Sequence, residues 1–346
     1  MEKIEKLFDS KYVLSFFNKK VLPLYPDFKK IKKIKIVPHK KFVWPQTYHV
    51  VIEFKVFFLA KTENKNKESV RKLSFFCTAH SSEPRKNVYD ILDHLWSQGF
   101  SKGFLTIPKP ILYSKYFNAS FYRGVDGISL LDLIKNKEKK EVEKIVKKTA
   151  EWLAKLHKMP FPSDIKLNKK NNQIKTVVPG YRKIIKEVDE RYEGKYTKNI
   201  RDVYEYLIEL EEDFLKMSHR RWLIHGDVHP DNIIKISKNK MAMIDFADIC
   251  SSDFARDLGT FLQQIEYRLN KNNYPISYIK KIKDIFLTEY CKKARIKYNI
   301  RLKERINLYY HFTALRTAIF WLMKHGPDSS KAEPLIIDIK KKLKIC

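Results

Sequence analysis

Two short apolar runs within residues 222–248 limit the possible folds of this chain more than any other part of the sequence. The runs, WLI and MAMI, each have the length of a buried strand. A polar cluster follows each run, and the clusters contain Asp227, Asn232 and Asp245. An apolar strand that ends in a carboxylate places a charge at the rim of a dry sheet, where metal and phosphate chemistry is often built.

The spacing of these polar residues suits phosphoryl transfer. Asp227 and Asn232 flank Pro230 in one loop, so both side chains can point into one pocket. The carboxylate could orient a substrate hydroxyl or take its proton, and an amide oxygen is a hard ligand suited to Mg²⁺. Asp245 adds a charged ligand after the second run. Positioning, charge neutralisation and one base are what this reaction requires. The alternative is a structural Asp/Asn turn that caps a hairpin.

The first half of the chain predicts a small β-rich lobe. A chain of 346 residues is long for a single core, so two lobes are expected. After a helical region at residues 1–30, β-branched and alternating residues at 31–59 and 73–78 predict an antiparallel meander, with residues 61–69 as a turn. Residues 83–100 have helical spacing.

A flexible joint, GVDG at residues 124–127, separates this lobe from a mainly helical second half. We therefore predict two domains, residues 1–123 and residues 124–346. The helices predicted in the second domain have apolar residues at helical spacing and span residues 141–157, 181–216 (as two segments), 257–269, 276–297 and 302–324.

The net charge of +30 favours an anionic partner such as nucleic acid, an acidic membrane face or a phosphorylated ligand. A general lysine bias explains the charge better, because the basic residues are spread almost evenly and no cluster of aromatic and arginine residues is present. Nucleic-acid binding is a weaker alternative, which predicts a steep salt dependence of association.

Cellular location is indicated by the cysteines and by the absence of long apolar runs. The four cysteines are far apart and form no metal-type pair, which suggests a reducing, cytoplasmic compartment. No apolar run approaches the roughly 20 residues needed to span a bilayer. The N-terminus has acids near its start and no small-residue cleavage site, so we expect no signal peptide.

The sequence HGDVHPDN, followed by IDFAD, resembles the catalytic and metal-binding segments of the aminoglycoside phosphotransferase and choline kinase-like family. The loop corresponds to the kinase pattern H-R-D-x-x-x-x-N followed by D-F-G. The resemblance implies an α+β, bilobal protein kinase-like fold with a small antiparallel β lobe and a larger, mainly helical lobe. It also implies Mg²⁺-dependent transfer of the γ-phosphate of ATP or GTP to a hydroxyl of a small molecule, such as an aminoglycoside, choline or a sugar-like alcohol.

The resemblance gives each motif residue a role. Asp227 is the implied catalytic base, and Asn232 and Asp245 are the implied Mg²⁺ ligands. His229 falls where protein kinases have a lysine near the transferring phosphate, so it either contacts that phosphate or hydrogen-bonds the backbone. His225 is the implied structural brace of the loop.

Further positions are implied outside the loop. Asp257, in FARDLGTF, resembles the aspartate that anchors the catalytic loop from a helix start, and Asp248 is expected to be structural. Tyr122, Arg123 and Val125 lie in the implied hinge segment of the N-terminal lobe and are the predicted nucleotide-binding residues.

The acceptor itself is not identified by the sequence. Five acidic residues could face a cationic acceptor, although solvated helix faces explain each of them better: Glu187, Asp189, Glu190, Glu266 and Glu289.

The first lobe departs from the kinase pattern. The turn expected to cover the phosphates, at residues 38–47, has no glycine. The third strand holds Cys77 or Thr78 where a phosphate-binding lysine is expected, and the following helix holds Val88 in place of its glutamate partner. The two losses are coupled, because a buried glutamate without its lysine would be an unpaired charge. Ordinary surface charge is the simpler interpretation of each nearby basic side chain. Those that could substitute for the lysine are Arg71, Lys72, His80, Arg85 and Lys86.

Two hypotheses of different class follow. The first is a small-molecule kinase that uses the loop of the second lobe. The second is a catalytically weak, kinase-like binding or regulatory protein without the usual phosphate-binding lysine. We favour the enzyme, because a chain that had lost catalysis has little reason to keep the metal ligands together.

Overall fold

The structure is a computed structural model that describes residues 2–60, 69–81, 83, 85–160, 165, 167, 171–218 and 220–345. Contacts between Cα atoms divide the chain into two compact units. Unit 1 comprises Met1–Gly127 and Ile236–Ala247, and unit 2 comprises Ile128–Lys235 and Asp248–Cys346. The turn predicted at residues 61–69 falls, apart from Ser69, outside the described residues. The functional division between residues 1–123 and 124–346 stays a prediction.

Strands are concentrated in the first half of the chain and helices in the second half. The strands are β1 Phe28–Val43, β2 Tyr48–Ala60, β3 Val70–His80, β4 Leu105–Thr106, β5 Lys109–Ser114, β6 Ala119–Arg123, β7 Ile128–Ser129, β8 Trp222–Ile224, β9 Ile233–Lys235, β10 Met241–Met243 and β11 Cys250–Ser252. The α-helices are α1 Glu2–Glu5, α2 Ser10–Lys20, α3 Arg85–Leu95, α4 Leu130–Lys135, α5 Lys139–His157, α6 Tyr181–Tyr192, α7 Thr197–Met217, α8 Ala255–Lys271, α9 Ile276–Ala294, α10 Ile300–Met323 and α11 Ser329–Leu343.

Unit 1 is built on a five-stranded sheet with the order β1-β2-β3-β6-β5. β1, β2 and β3 pair antiparallel in chain order, which confirms the predicted meander. The turn predicted at residues 38–47 is wrong in extent: β1 includes Pro38, and the hairpin turn is closed by the Trp44 N–H, which donates to the Thr47 carbonyl oxygen over 2.8 Å. Pro38 is tolerated because β1 is an edge strand and its pairing shifts register there.

Alternation of side chains along the strands gives this sheet two different faces. One face packs on α2, where the ring of Phe17 lies 5.0 Å from that of Phe54, centroid to centroid. Cys77 is buried in the same apolar core. The opposite face carries Phe76 and Tyr122, whose rings stack with centroids 5.8 Å apart. We call this opposite side of the sheet the Tyr122 face.

Unit 2 is mainly helical, and the helices predicted from the sequence correspond to α5 through α10. α8 and α10 approach closely because Gly259 has no side chain: a Cβ there would lie 2.5 Å from the carbonyl oxygen of Ile306 and 2.7 Å from the nitrogen of Tyr310. Strand β8 pairs antiparallel with β11, opposing Ile224 to Cys250. This pairing holds the start of the HGDVHPDN loop.

The described part of the chain contains no helix that is long and apolar enough to cross a membrane. Cys77, Cys250 and Cys291 are free thiols, and Cys346 lies outside the described residues.

Candidate active site

The loop between β8 and β9 is held by one buried carboxylate. Asp257, in the first turn of α8, is fully buried. Its Oδ2 atom accepts the N–H of His225 and its Oδ1 atom accepts the N–H of Gly226, each over 2.8 Å. Asp257 therefore makes the anchoring contact that the family resemblance implied.

Asp257 is itself part of a buried chain of polar groups. His157, the last residue of α5, has its Nε2 3.0 Å from Asp257 Oδ2 and its Nδ1 2.8 Å from the hydroxyl of Tyr290. Burial alone would raise the pKa of Asp257, but His157, together with His225 and the Gly226 N–H, outweighs it and the pKa is lowered. Sequence reasoning missed His157 and Tyr290, because a polar residue within an amphipathic helix has no distinguishing pattern.

Gly226 is required by the backbone of the loop. Its φ of 84° lies in the left-handed region, and a Cβ at this position would overlap the carbonyl oxygen of Asp248. Asp248 is fixed in turn by Asn171, whose Nδ2 donates to Asp248 Oδ1 over 2.7 Å. The glycine of the HGD triplet therefore lets the loop pass against Asp248.

Asp227 carries a carboxylate that is open to a cavity. Its side chain is 41% exposed and lines a space of about 300 Å³ that belongs entirely to unit 2. Burial would raise the pKa of Asp227, but contact with His229, assisted by the charges of His225 and Arg316, lowers it below its ordinary value. Asp227 is therefore ionised at neutral pH and can accept a hydrogen bond from a hydroxyl in the cavity.

His229 lies between two carboxylates. Its Nε2 is 3.4 Å from Asp227 Oδ2, and its Nδ1 is 3.5 Å from Asp231 Oδ2. Burial favours the neutral ring, but the two carboxylates raise the pKa of His229 to about 9. The ring is therefore an imidazolium at pH 7, and it places a positive charge beside the candidate base.

Asn232 is buried at the end of the same loop. Its Nδ2 donates to the main-chain carbonyl oxygen of Asp227 over 3.0 Å. This bond orients the amide and leaves its Oδ1, a hard oxygen, for another partner. Unit 2 therefore offers an oriented oxygen of the kind that Mg²⁺ accepts.

Asp245 belongs to unit 1 and follows β10. Its φ of 64° lies in the left-handed region, which costs a non-glycine residue about 1–2 kcal/mol. Its Oδ1 accepts the N–H of Ala247 over 3.4 Å. Burial and then the negative charge of Asp245 raise the pKa of Tyr122, so this carboxylate lies on the Tyr122 side of unit 1.

The three residues predicted to bind the nucleotide do not share one face. Tyr122 and Arg123 are consecutive in β6, so their side chains point to opposite sides of the sheet. Tyr122 stacks on Phe76, whereas Arg123 lies near Tyr25, which belongs to the apolar core. Val125 follows β6 in an irregular segment. Nucleotide binding by these three residues stays a prediction.

β3 carries no lysine at the position where the phosphate-binding lysine was expected, but a buried cation lies at the start of α3. Cys77 belongs to the apolar core, so Thr78 is the residue of that pair on the Tyr122 face. Arg85, the first residue of α3, is only 6% exposed, and its guanidinium lies 2.9 Å from the Glu83 carboxylate. Its Nε atom has no hydrogen-bond partner among the described residues. The positive charge of Arg85 also acts on the pKa of Tyr122.

The other basic substitutes named from the sequence are less buried. Arg71, Lys72 and Lys86 are exposed, and His80 is half-buried with its Nδ1 accepting the N–H of Glu83 over 3.2 Å. Arg85 is therefore the buried cation of this group.

A family model decides the relationship of the chain to known proteins. The model of the phosphotransferase enzyme family (APH) matches residues 53–279. The chain belongs to this family. Membership supports phosphoryl transfer to a small-molecule hydroxyl as the class of reaction. A comparison with curated proteins gave no match.

Solved structures of phosphotransferases and kinases show the same fold. The spectinomycin phosphotransferase APH(9)-Ia, in complex with ADP and spectinomycin, matches with a TM-score of 0.56 at 14% identity, over 96% of this chain and 94% of its own. Choline kinase LicA from Streptococcus pneumoniae has a TM-score of 0.54 at 14% identity, over 95% and 99%. An ethanolamine kinase from Plasmodium vivax has a TM-score of 0.53 at 14% identity, over 88% and 81%. These matches confirm the kinase-like α+β fold predicted from the sequence.

Proposed function

We propose that this member of the phosphotransferase enzyme family transfers the γ-phosphoryl group of a nucleoside triphosphate to a hydroxyl of a small molecule, with Asp227 as the base. The observation that carries the proposal is the position of Asp227. It is an ionised carboxylate in the wall of a cavity, on a loop whose backbone is fixed to Asp257.

In the proposed reaction, Asp227 orients the acceptor oxygen toward the γ-phosphorus and takes its proton as the new P–O bond forms. The bond from the γ-phosphorus to the bridging oxygen breaks, and a nucleoside diphosphate leaves. The lowered pKa makes Asp227 a weak base, which is sufficient where positioning contributes more than proton removal. His229, as an imidazolium 3.4 Å from Asp227, offers positive charge to the transferring phosphoryl group.

We propose Asn232 and Asp245 as Mg²⁺ ligands, because each offers a hard oxygen. Asn232 has an oriented amide oxygen, and Asp245 has a carboxylate held by the Ala247 N–H. The described residues contain no group of three His, Cys, Asp or Glu side chains that could hold a metal, and Mg²⁺ commonly completes its shell with water and substrate phosphates. When bound to Asn232 and Asp245, the ion would neutralise charge on the β- and γ-phosphates.

We propose that the donor, ATP or GTP, binds on the Tyr122 face of unit 1. The spectinomycin phosphotransferase with the same fold was solved in complex with ADP, which supports a nucleotide ligand. We propose that Tyr122 contacts the nucleotide through its side chain, whereas Arg123 and Val125 contribute main-chain groups. Arg85 supplies the buried positive charge that β3 lacks.

The acceptor classes implied by the sequence were aminoglycosides, choline and sugar-like alcohols. The first two are cations and the third is defined by its hydroxyl groups. We retain the sugar-like class, because the cavity beside Asp227 has polar side chains in its wall.

Replacement of Asp227 tests the proposal. ADP formation is first screened with ATP or GTP and a panel of sugars, amino alcohols, nucleosides and aminoglycosides. With an active acceptor, Asp227→Asn should reduce turnover by at least about 100-fold, because it removes the base and keeps the shape. Asp213→Asn, which changes an exposed aspartate of α7, is the matched control. EDTA should stop the wild-type reaction and added Mg²⁺ should restore it.

Full turnover in a folded Asp227→Asn variant would exclude Asp227 as the base. The binding or regulatory hypothesis would be favoured if no acceptor gave ADP and millimolar MgATP or MgGTP gave no thermal stabilisation.

A further inference from the structure

The cavity beside Asp227 has a polar wall formed by two helices. Residues of α8 and α10 that line it recur three or four positions apart, so each helix presents one polar stripe to the cavity. The polar members of these stripes are Thr260, Gln264 and Arg268 on α8, and Thr313, Arg316 and Thr317 on α10.

The uncharged part of this wall is pre-arranged for hydroxyl groups. The hydroxyl of Thr260 lies 3.1 Å from that of Thr313, and Thr313 donates to the carbonyl oxygen of Tyr309 over 2.8 Å. Gln264 donates through Nε2 to the hydroxyl of Thr317 over 3.2 Å. Side chains fixed in this way lose little entropy when they hydrogen-bond a ligand, so the wall suits a polyol or sugar.

Arg316 is a cation without a carboxylate partner in the described part of the chain. Its Nη1 and Nη2 atoms each donate to the carbonyl oxygen of Val178 over 3.2 Å. The neutral carbonyl does not cancel the guanidinium charge, and further N–H groups are available. Its charge reaches Asp227, where it helps to lower the carboxylate pKa. Arg316 therefore acts in the same cavity as the candidate base.

Arg268 adds a second guanidinium from the opposite helix. Its Nη2 donates to Asp231 Oδ2 over 3.1 Å, while its Nε is buried without a hydrogen-bond partner among the described residues. At the same cavity, Trp321 is covered by the Nζ atoms of Lys324 and Lys331, which lie 4.3 Å and 4.6 Å from its ring centroid. Neither lysine lines the cavity and Lys331 is itself paired with Asp328, so the positive charge of the wall comes from its arginines and His229.

Negative charge in this cavity is limited. Among the described residues, the carboxylates in its wall are Asp227 and Asp248, and Asp248 already accepts a hydrogen bond from Asn171. The cations in the same wall are protonated His229, Arg256, Arg268 and Arg316. Asp231 does not line the cavity but pairs with both His229 and Arg268, so with Asp231 included four cations face three carboxylates.

The acidic residues that the sequence offered for a cationic acceptor lie elsewhere. None of the five lines this cavity among the described residues. Asp189 is exposed. The other four lie within ion-pair distance of lysines: Glu187, Glu190, Glu266 and Glu289. The structure therefore removes the feature that favoured an amino sugar or choline.

We propose that the acceptor is an anionic polyol, a sugar or sugar acid that already carries a carboxylate or a phosphate, and that Arg316 and Arg268 bind that anion while the threonine wall binds its hydroxyls. This inference rests on the proposed function only in taking the cavity beside Asp227 as the acceptor site. A cationic acceptor would meet like charges on two helices, which disfavours it by repulsion as well as by missing contacts.

Four probes with one pyranose ring test the charge preference: D-glucose, D-glucosamine, D-glucuronate and D-glucose 6-phosphate. Their binding to the full-length protein is measured by calorimetry with saturating MgADP, so that the anions do not compete for the donor phosphates. We expect at least one anion to bind roughly tenfold or more tightly than glucose, and glucosamine to bind most weakly. The two anions distinguish a carboxylate ligand from a phosphate ligand.

Arg316→Gln and Arg268→Gln should each weaken the preferred anion by roughly 10- to 100-fold and leave glucose binding nearly unchanged. Arg301→Gln is the matched control, because Arg301 is an exposed arginine of α10 that does not line this cavity. As a second measurement, the preferred anion should slow phenylglyoxal labelling of Arg316 and Arg268, read by peptide mass spectrometry, whereas glucosamine should not.

Three results would overturn the anionic acceptor. They are binding of glucosamine at least as tight as that of the anions, an anion preference that survives both arginine substitutions, and the absence of any charge preference among the probes. The proposed function fails separately. Charge-selective binding without ADP formation from any alcohol supports the anion site alone, whereas ADP formation preferentially from glucosamine supports phosphoryl transfer alone.

Discussion

The HGDVHPDN loop of unit 2 and the Tyr122 face of unit 1 carry two halves of one proposed reaction, and they are stabilised in different ways. The loop is fixed through its backbone, because the N–H groups of His225 and Gly226 both donate to the buried Asp257. The Tyr122 face depends on side chains instead. Its buried cation, Arg85, comes from the start of α3 and not from β3.

This difference suits the observation that the loop of unit 2 follows the family pattern closely, whereas the Tyr122 face of unit 1 does not. The loop backbone restricts position 226 to glycine, because a Cβ there would meet the carbonyl oxygen of Asp248. A positive charge on a long, flexible side chain can be supplied from several elements without a change of fold. Substitutions in each region can show how strictly the loop is held and whether Arg85 fills its proposed role.

The largest effect is expected from Asp257→Asn. Three donors point at this carboxylate, from His225, Gly226 and His157, and an amide in its place turns an N–H group toward them. We expect a loss of about 3–5 kcal/mol in unfolding free energy, measured by urea denaturation at pH 7. Asp284→Asn, at an exposed aspartate of α9, is the control. Equal stability of the two variants would show that Asp257 does not anchor the loop.

Gly226→Ala should have the next largest effect. The added methyl group meets the carbonyl oxygen of Asp248, and alanine is strained at a φ of 84°. We expect a cost of about 2–4 kcal/mol. Gly194→Ala separates the two causes, because its φ is 82° but its nearest neighbour, Asp189 Oδ1, is 4.0 Å from the new Cβ. That control should cost only about 1 kcal/mol. Similar losses in both variants would mean that Asp248 moves aside.

The same contrast defines how far the sequence predicts the structure. Asp227, Asn232 and Asp257 were predictable because each is part of a local pattern at fixed spacing. The meander and the helices of unit 2 were predictable from periodicity. The turn at residues 38–47, assigned from the resemblance to the kinase pattern, was too long, because β1 continues through Pro38, which an edge strand tolerates.

Contacts between distant segments were not predictable in this way. His157 and Tyr290 meet Asp257 only after three helices pack together. The polar stripes that contain Thr260 and Arg316 were overlooked because α10 contains many apolar residues, and a few polar positions on one face of such a helix do not stand out. Their function depends on the facing helix, which the sequence alone does not identify.

A second buried carboxylate of unit 2 behaves in the opposite way to Asp257. Burial raises the pKa of Glu211 from an ordinary 4.5 to about 7, although the Ile174 N–H and the Tyr309 hydroxyl donate to it. Because the folded-state pKa is raised, the folded protein holds this proton more tightly than the unfolded chain does. Stability from this group is therefore present below about pH 4.5 and is lost as the pH rises to about 7.

Glu211→Gln removes this titration. Relative to the wild type, the variant should gain roughly 2–3 kcal/mol in unfolding free energy between pH 4.5 and pH 8, measured by denaturant titration at both values. Glu212→Gln, at the neighbouring residue whose carboxylate pairs with Lys175, should leave the pH profile nearly unchanged. Parallel profiles for wild type and Glu211→Gln would show that Glu211 is ionised throughout.

The smallest expected effect tests whether the Tyr122 face has a working cation. If Arg85 contacts phosphate as proposed, Arg85→Gln should raise the KM for ATP or GTP by roughly tenfold and leave the KM for the acceptor nearly unchanged. Arg85→Lys should recover part of the effect, since it keeps the charge but not the planar fork. Lys86→Gln, at the next residue of α3, is exposed and paired with Asp90, so it is the matched control. A purely structural Arg85 would lower the melting temperature without the selective change in nucleotide KM, and lysine would not restore that KM. In that case the Tyr122 face would have neither the β3 lysine nor a substitute for it. Unit 1 would then have lost its phosphate-binding cation, whereas the loop of unit 2 keeps its motif residues.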